Sequence, residues 1–415
     1  MLPTPLETAA ATTPVTSLTD TEAMIDLETM RHYRLGRLRD QLKARDYGAC
    51  VLLSPYSIRY ATGVRNCAIF QTHILAGYLF VPADGPVIYF DSEPGRNTAG
   101  GLSTVDEIRD DVMPLSYMFA SDGLDAWTRR WAEQMADLVD RRGGGSRRLA
   151  VERSVTHAVA AFDGLNVEVV DASPAVESAR VIKSPEEILC MNAAITAAET
   201  GMWRMRRALE PGLTEIELWS HLWSANIEAG GDWMECRLLA SGDRTNPWQQ
   251  EASGRVIRAG ELVAFDTDMI GPFGYCADVS RTFRCGPGAP TDYQKELYQR
   301  AYEEVHANLE LMKPGAGFLE LTEKSFRQPE KYRAQHYPVL AHGVGMSDEW
   351  PCIFYPEDRR FAYDGELQPG MAMSVESYVG EVGGPEGVKL EQQIVITESG
   401  HRVLSRFPFE DELLS

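Results

Sequence analysis

The chain has 415 residues, too many for one ordinary core, so two domains are the starting expectation. Its 44% hydrophobic and 24% charged fractions belong to a soluble globular protein. A net charge of -21, from 61 acidic against 40 basic residues, argues against nucleic acid or an anionic membrane as a partner, because no basic excess exists to neutralise phosphates.

Residues 1–25, rich in Ala, Thr and Pro, carry no periodic apolar pattern and are expected to form a flexible arm. They lack the basic-then-apolar layout of a signal peptide. No apolar run anywhere approaches the ~20 residues of a membrane span, so a cytoplasmic protein is expected. From Met30 the pattern turns helical, with Leu35, Leu38 and Leu42 on one stripe, and an apolar strand follows at 49–53. Short apolar runs at 76–82 and 86–90 and a helical stretch at 126–140 continue the alternation, which predicts an α/β layer domain over 26–180. The tract Gly143-Gly144-Gly145-Ser146 lacks the Lys-Ser/Thr of a phosphate cradle and reads as a surface turn. Seven scattered cysteines without a C-x-x-C pair read as buried thiols in a reducing compartment.

A second domain, 181–415, opens with a capping box. Ser184 is the N-cap, Pro185 the first helical residue and Glu187 its reciprocal partner. Ile188, Met191, Ile195, Met202 and Met205 supply the apolar face until Pro211-Gly212 stops the helix. Thr214 starts another helix, and a long one runs over 291–312. Strand-like runs at 236–241, 262–268, 278–284, 372–378 and 389–397 predict an α+β domain around a curved antiparallel sheet.

Residues 263–283 read VAFDTDMIGPFGYCADVSRTF, two apolar segments joined by a Gly-Pro turn, the pattern of a β-hairpin. It carries three acids, Asp266, Asp268 and Asp278. An unpaired carboxylate costs several kcal/mol to bury, so such acids must protonate, pair with cations or hold metal. His342 in Ala-His-Gly-Val-Gly, Glu376 and Glu391 also sit in or beside apolar runs. Each alone has an ordinary reading: a satisfied core histidine, a turn cap, or a salt bridge to Lys389 or Arg281. Together, several carboxylates and one imidazole suit two divalent cations, with iron, manganese, cobalt or zinc ahead of copper.

The order Asp, Asp about a dozen residues on, His before Gly-x-Gly, Glu, then Glu in a late strand resembles the creatinase, prolidase and methionine aminopeptidase family. Supporting segments are Val181-Ile182-Lys183-Ser184-Pro185-Glu186-Glu187, Pro211-Gly212-Leu213-Thr214-Glu215 and Gly260-Glu261-Leu262-Val263. In the first half, Ser54-Pro55-Tyr56-Ser57-Ile58-Arg59-Tyr60-Ala61-Thr62-Gly63 resembles that family's smaller domain. The resemblance implies an α+β protein with a C-terminal pita-bread catalytic domain, a creatinase-like N-terminal domain and a homodimeric state. It also implies a two-metal site on Asp266, Asp278, His342, Glu376 and Glu391, with Asp278 and Glu391 as bridges.

The departures from that pattern carry the functional expectation. Asp268 stands where the peptidases place a small residue, which suggests a sixth ligand, and the Asp266 to Asp278 interval is one residue longer than is common. Asp348 stands where a second histidine is expected after the Gly-x-Gly segment. The upstream peptidase histidine is missing from Asn246-Pro247-Trp248-Gln249-Gln250. A carboxylate cannot donate to an oxyanion unless protonated, but it can take a proton from carbon. This pattern resembles the branch that cleaves dimethylsulfoniopropionate to dimethyl sulfide and acrylate. The resemblance implies Asp348 as general base and a zwitterionic sulfonium substrate. Tyr337, Trp350 and Trp248 are candidate aromatic partners for the sulfonium, with core packing as the other reading of each. An Xaa-Pro dipeptidase, a creatinase-like C-N hydrolase and a non-catalytic binding module are the alternatives.

Overall fold

The computed structural model describes residues 24–65, 67–92, 96–153 and 156–415. The arm expected at the N-terminus lies, up to residue 23, outside the described residues. The chain divides into two compact units, Asp26–Arg180 and Val181–Ser415. Among the described residues no helix is long and apolar enough to cross a membrane.

The first unit is built on a six-stranded sheet of order β4-β3-β2-β1-β5-β6. Its strands are β1 (Ala49–Leu52), β2 (Tyr78–Pro82), β3 (Ile88–Phe90), β4 (Glu107–Arg109), β5 (Arg148–Val151) and β6 (Glu168–Asp171). β1 runs antiparallel to β2 and parallel to β5, so the sheet is mixed. The helix Leu124–Arg142 lays Trp131, Met135 and Val139 on the sheet beside Tyr78 and Phe90. The Ser-Pro segment forms the helix Pro55–Thr62. Its start is held by the buried carboxylate of Glu152, which accepts from the Leu53 and Ser54 amides at 3.0 and 2.8 Å and suits the positive end of the helix dipole.

In the second unit the expected capping box forms, Ser184 with Glu187 on the helix Pro185–Ala208, and Thr214, expected only to start a helix, forms a second with Glu217 on Glu215–Glu228. Three antiparallel sheets follow. β7 (Trp233–Met234), β10 (Met269–Ile270) and β11 (Cys276–Ala277) form one; β8 (Leu239–Ser241), β9 (Leu262–Asp266) and β12 (Ser280–Arg284) form the second. The third contains β13 (Val339–Val344), β14 (Asp348–Phe354), β15 (Ala372–Gly380), β16 (Gly387–Ile396) and β17 (His401–Val403) in the order β14-β13-β15-β16-β17. Every residue of β15 and β16 is buried, because the long helix Asp292–Leu309 packs on both strands while β9 and β12 approach β16. That cover explains why these strands read as continuous apolar runs.

Two expectations about the strands need correcting. The stretch 263–283 is one hairpin only at its base, where Ser280 faces Asp266 and Arg284 faces Leu262. At Asp268 the backbone turns to φ +34°, and the tip pairs with β7 in another sheet. Thr267 fills the break: its hydroxyl donates to the Ala277 carbonyl at 2.7 Å and accepts from the Val279 amide at 3.0 Å. The run expected over 236–241 is likewise not one strand, since only β8 forms at its end.

Candidate metal centre

The register of the five-stranded sheet gathers three of the candidate ligands. His342 on β13 lies opposite Ser374 on β15, Glu376 is two residues further along β15 on the same face, and Glu376 lies opposite Glu391 on β16. Asp266 ends β9, and Asp278 stands in the short gap between β11 and β12. Ser280 ties the two sheets together by donating its hydroxyl to Glu391 Oε2 at 2.7 Å. As a result Asp266, Asp278 and Glu391 offer oxygens within 4.8 Å of one another, and His342, Glu376 and Glu391 form a second such group.

Like charges directly opposite on a sheet destabilise it, and here they are also buried. Burial and the neighbouring charge of Asp266 push the Asp278 carboxyl up to about 7. Burial, then Asp266 and Asp278, hold Glu391 well above the usual carboxylate range.

Four oxygens of this cluster, Asp266 Oδ1, Asp278 Oδ2, Glu376 Oε1 and Glu391 Oε1, are buried without a hydrogen-bond partner. An unsatisfied buried polar atom costs ~1–3 kcal/mol, and more when charged. The imidazole adds to this. His342 Nδ1 lies 3.0 Å from the Gly343 carbonyl, which can only accept, so Nδ1 carries the proton. Nε2 faces Asp278 at 3.1 Å, Glu376 at 3.5 Å and Glu391 at 3.8 Å, and although burial opposes it, the hydrogen bond and charge of Asp278 with the charges of Asp348 and Glu376 hold the imidazole well above its usual pKa. A nitrogen facing three carboxylates needs positive charge beside it, its own proton in the metal-free protein or a divalent ion in that proton's place. The donor set therefore fits divalent metal, and the proton on Nδ1 is the arrangement expected of a ligating histidine.

Comparison with known proteins agrees. Residues 189–398, which contain all five of these residues, match metallopeptidase family M24, and residues 34–182 match the creatinase/prolidase N-terminal domain. The chain belongs to family M24. The resemblance read from the sequence therefore holds, as does the fold it implied. Among curated M24 relatives, dimethylsulfoniopropionate lyase DddP of Roseovarius nubinhibens is 39% identical over 400 residues, spanning 94% of this chain and 89% of the relative. The DddP of Roseobacter denitrificans is 36% identical over 395 residues, spanning 94% of this chain and 88% of its own. Solved structures share the fold at lower identity. An Xaa-Pro dipeptidase from Bacillus anthracis superposes with a TM-score of 0.70 at 22% identity, covering 92% of this chain and 99% of that one. A prolidase from Pyrococcus furiosus gives 0.70 at 20% identity, covering 89% and 99%.

Lys389 was read from sequence only as a salt-bridge partner of Glu376 or Glu391, and in this M24 centre it serves both. Its fully buried ammonium lies 2.7 Å from Glu376 Oε2, 3.2 Å from Asp266 Oδ2 and 3.4 Å from Glu391 Oε2. The other suggested partner, Arg281, instead spends its guanidinium on the Ser280, Glu391 and Phe407 carbonyls and on the Gln392 side chain.

Asp348 begins β14, with its side chain 63% exposed and Oδ1 4.0 Å from His342 Nδ1. The sheet register shifts between His342 and Gly343, and Asp348 stays within 4.8 Å of the ligand atoms of Asp278 and His342, a third such group with one exposed member. Gly343 and Gly345 permit the tight turn: a Cβ on the first would strike the Trp350 and Glu349 carbonyls, and on the second the Glu349 carboxylate. Asp268 is not part of either ligand group. Cys236 donates its thiol proton to Asp268 Oδ2 at 2.7 Å, and burial with the charges of Asp266 and Asp278 holds its carboxyl well above the usual range.

The aromatic candidates separate. Trp248 stacks on Tyr378 with ring centroids 6.1 Å apart, and Tyr337 packs against the same cluster. One face of Tyr337 is covered by the Lys389 ammonium, 4.5 Å from the ring centroid. Trp350 instead packs on Phe318 at 5.6 Å and Tyr363 at 6.4 Å, the core-packing role.

Sequence reading missed the device that holds the Asp348 turn. Lys183 Nζ meets Glu349 Oε2 at 2.7 Å with both side chains 2% exposed, and Glu349 Oε1 accepts from the Met346 amide at 2.9 Å. The partners are 166 residues apart, but Lys183 next to a capping box and an acid beside an apolar strand were visible signals. Lys183→Met, which removes the cation paired with the buried Glu349 carboxylate, is expected to cost about 3–5 kcal/mol. Urea unfolding of the variant reads this directly, and an unchanged midpoint would show the pair to be dispensable.

Proposed function

We propose that this chain is a metal-dependent carbon-sulfur lyase that splits dimethylsulfoniopropionate into dimethyl sulfide and acrylate. The observation that carries the reading is the match to two dimethylsulfoniopropionate lyases over 94% of the chain at 39% and 36% identity. The site suits it, because the group at the mouth of the buried cluster is a carboxylate, Asp348, rather than a hydrogen-bond donor.

Asp348 takes a proton from the carbon next to the substrate carboxylate. The C-H electron pair becomes the new C=C bond, the C-S bond breaks, and its pair leaves on sulfur as neutral dimethyl sulfide. Acrylate remains, and the proton on Asp348 passes to solvent. Divalent ions held by Asp266, Asp278, His342, Glu376 and Glu391 would supply Lewis-acid polarisation of the substrate carboxylate, which makes that proton more acidic. Asp268, whose carboxyl feels burial and the charges of Asp266 and Asp278, is the candidate sixth ligand. The half-buried ring of Tyr337, packed beside Trp248, is the candidate seat for the sulfonium. Iron is the first choice of metal for this oxygen-rich set, ahead of manganese, cobalt or zinc. A homodimer, implied by the resemblance, and the cytoplasmic location expected from the sequence belong to the same reading.

The test is a sealed-vial assay of purified, metal-loaded protein with dimethylsulfoniopropionate, read by dimethyl sulfide in the headspace. Parallel vials with Ala-Pro and Gly-Pro are read for free proline. Sulfide without proline is the expected result. Proline without sulfide would replace the lyase by a dipeptidase.

A further inference from the structure

The elimination as written leaves the buried charge of Lys389 without a part. Its surroundings assign one. Each of the three carboxylates it touches divides its oxygens: Asp266 Oδ2, Glu376 Oε2 and Glu391 Oε2 face the ammonium. Asp266 Oδ1, Glu376 Oε1 and Glu391 Oε1 are the orphaned atoms. The lysine and a metal ion would therefore use different oxygens of the same residues and would not compete for them. Ser280 Oγ, 2.9 Å from Nζ and 2.7 Å from Glu391 Oε2, fixes the ammonium from a further side, and the Tyr337 ring covers it.

From this geometry we infer that Lys389 is a resident countercharge that keeps the centre assembled before metal arrives. In the metal-free protein its ammonium is the cation gathering Asp266, Glu376 and Glu391 across β9, β15 and β16. Without it those buried carboxylates would repel one another at low dielectric. Once ions occupy the orphaned oxygens, the lysine shares that task and matters less. Lys389 is thus a positioning residue for the metal ligands rather than a ligand or a catalytic group. The inference rests on the metal-centre reading but not on the reaction assigned to it.

The test compares thermal unfolding of chelator-stripped and Mn2+-loaded enzyme for wild type, Lys389→Met and Lys389→Arg. Methionine keeps the length of the stem and removes the charge. The stripped Lys389→Met protein is expected to melt roughly 10 °C below stripped wild type, with much of that loss recovered on loading, so that its Mn2+-induced shift exceeds that of wild type. Lys389→Arg, which keeps the charge, is expected to show a wild-type shift. An equal loss with and without Mn2+ in Lys389→Met would make the residue a packing element and overturn the inference, as would an enlarged shift in Lys389→Arg. Absence of any Mn2+-induced shift in wild type would instead remove the metal centre itself.

Discussion

Asp348→Asn is expected to lower dimethyl sulfide release by roughly 10²–10⁴-fold, the contribution of a positioned base to a proton transfer. Asparagine has the same shape but cannot accept a proton from carbon near neutral pH. Because the Asp348 side chain is 63% exposed, although its carboxylate lies within 4.8 Å of the ligand atoms of Asp278 and His342, the substitution should leave the fold intact. Surface changes of this kind usually alter stability by less than about 0.5 kcal/mol. Metal content should equal that of wild type, and the loss should fall in kcat with KM little changed, since the group acts when charge develops rather than when substrate docks. Headspace gas chromatography, metal analysis and circular dichroism on the same preparation separate these quantities. Undiminished sulfide release would move the base to another residue.

Glu391→Gln is expected to have the second-largest effect, and by a different route. Glu391 belongs to both buried ligand groups, lies opposite Glu376, and holds Ser280 from the neighbouring sheet. An amide offers a weaker, neutral oxygen, so metal affinity should fall at least on the order of the 100-fold seen when supporting groups of a metal site are lost. Activity in metal-free buffer should fall with it. The metal-free variant, however, should be no less stable than metal-free wild type, because one of two facing buried carboxylates has lost its charge. Metal titration followed calorimetrically, with thermal melts of stripped protein, reads both signs. A variant that keeps wild-type metal affinity would remove Glu391 from the ligand set.

Much of this centre was legible because charged residues interrupt apolar runs. Asp266, Asp278, His342, Glu376 and Glu391 each break a pattern that otherwise asks for a buried strand, and buried strands do not carry acids without a partner. What escaped depends on register and long-range pairing. β13 and β14 went unlisted as strands because glycines and register shifts at 343 disturb their alternation. The single hairpin expected over 263–283 hides a change of sheet at Thr267 and Asp268, set by one positive φ and one threonine hydroxyl. Lys389 could be named as a salt-bridge partner, yet its three-way contact exists only because Glu376 faces Glu391 and Asp266 arrives from another sheet. Trp350 looked like a neighbour of Asp348. Its ring's true neighbours, Phe318 and Tyr363, lie in other segments, and sequence proximity says nothing about them.

The register shift between His342 and Gly343 also bears on how a chain of this fold can change its reaction over evolutionary time. Position 348 stands in solvent on a turn anchored from below, while the ligands sit on strands closed on both faces. A substitution there alters the group offered to the substrate beside His342 and leaves the buried strands that carry the ligands in place. Histidine and aspartate can thus replace one another at that position without a folding penalty, so a lineage can try a new chemistry while still holding the ions that the old one used.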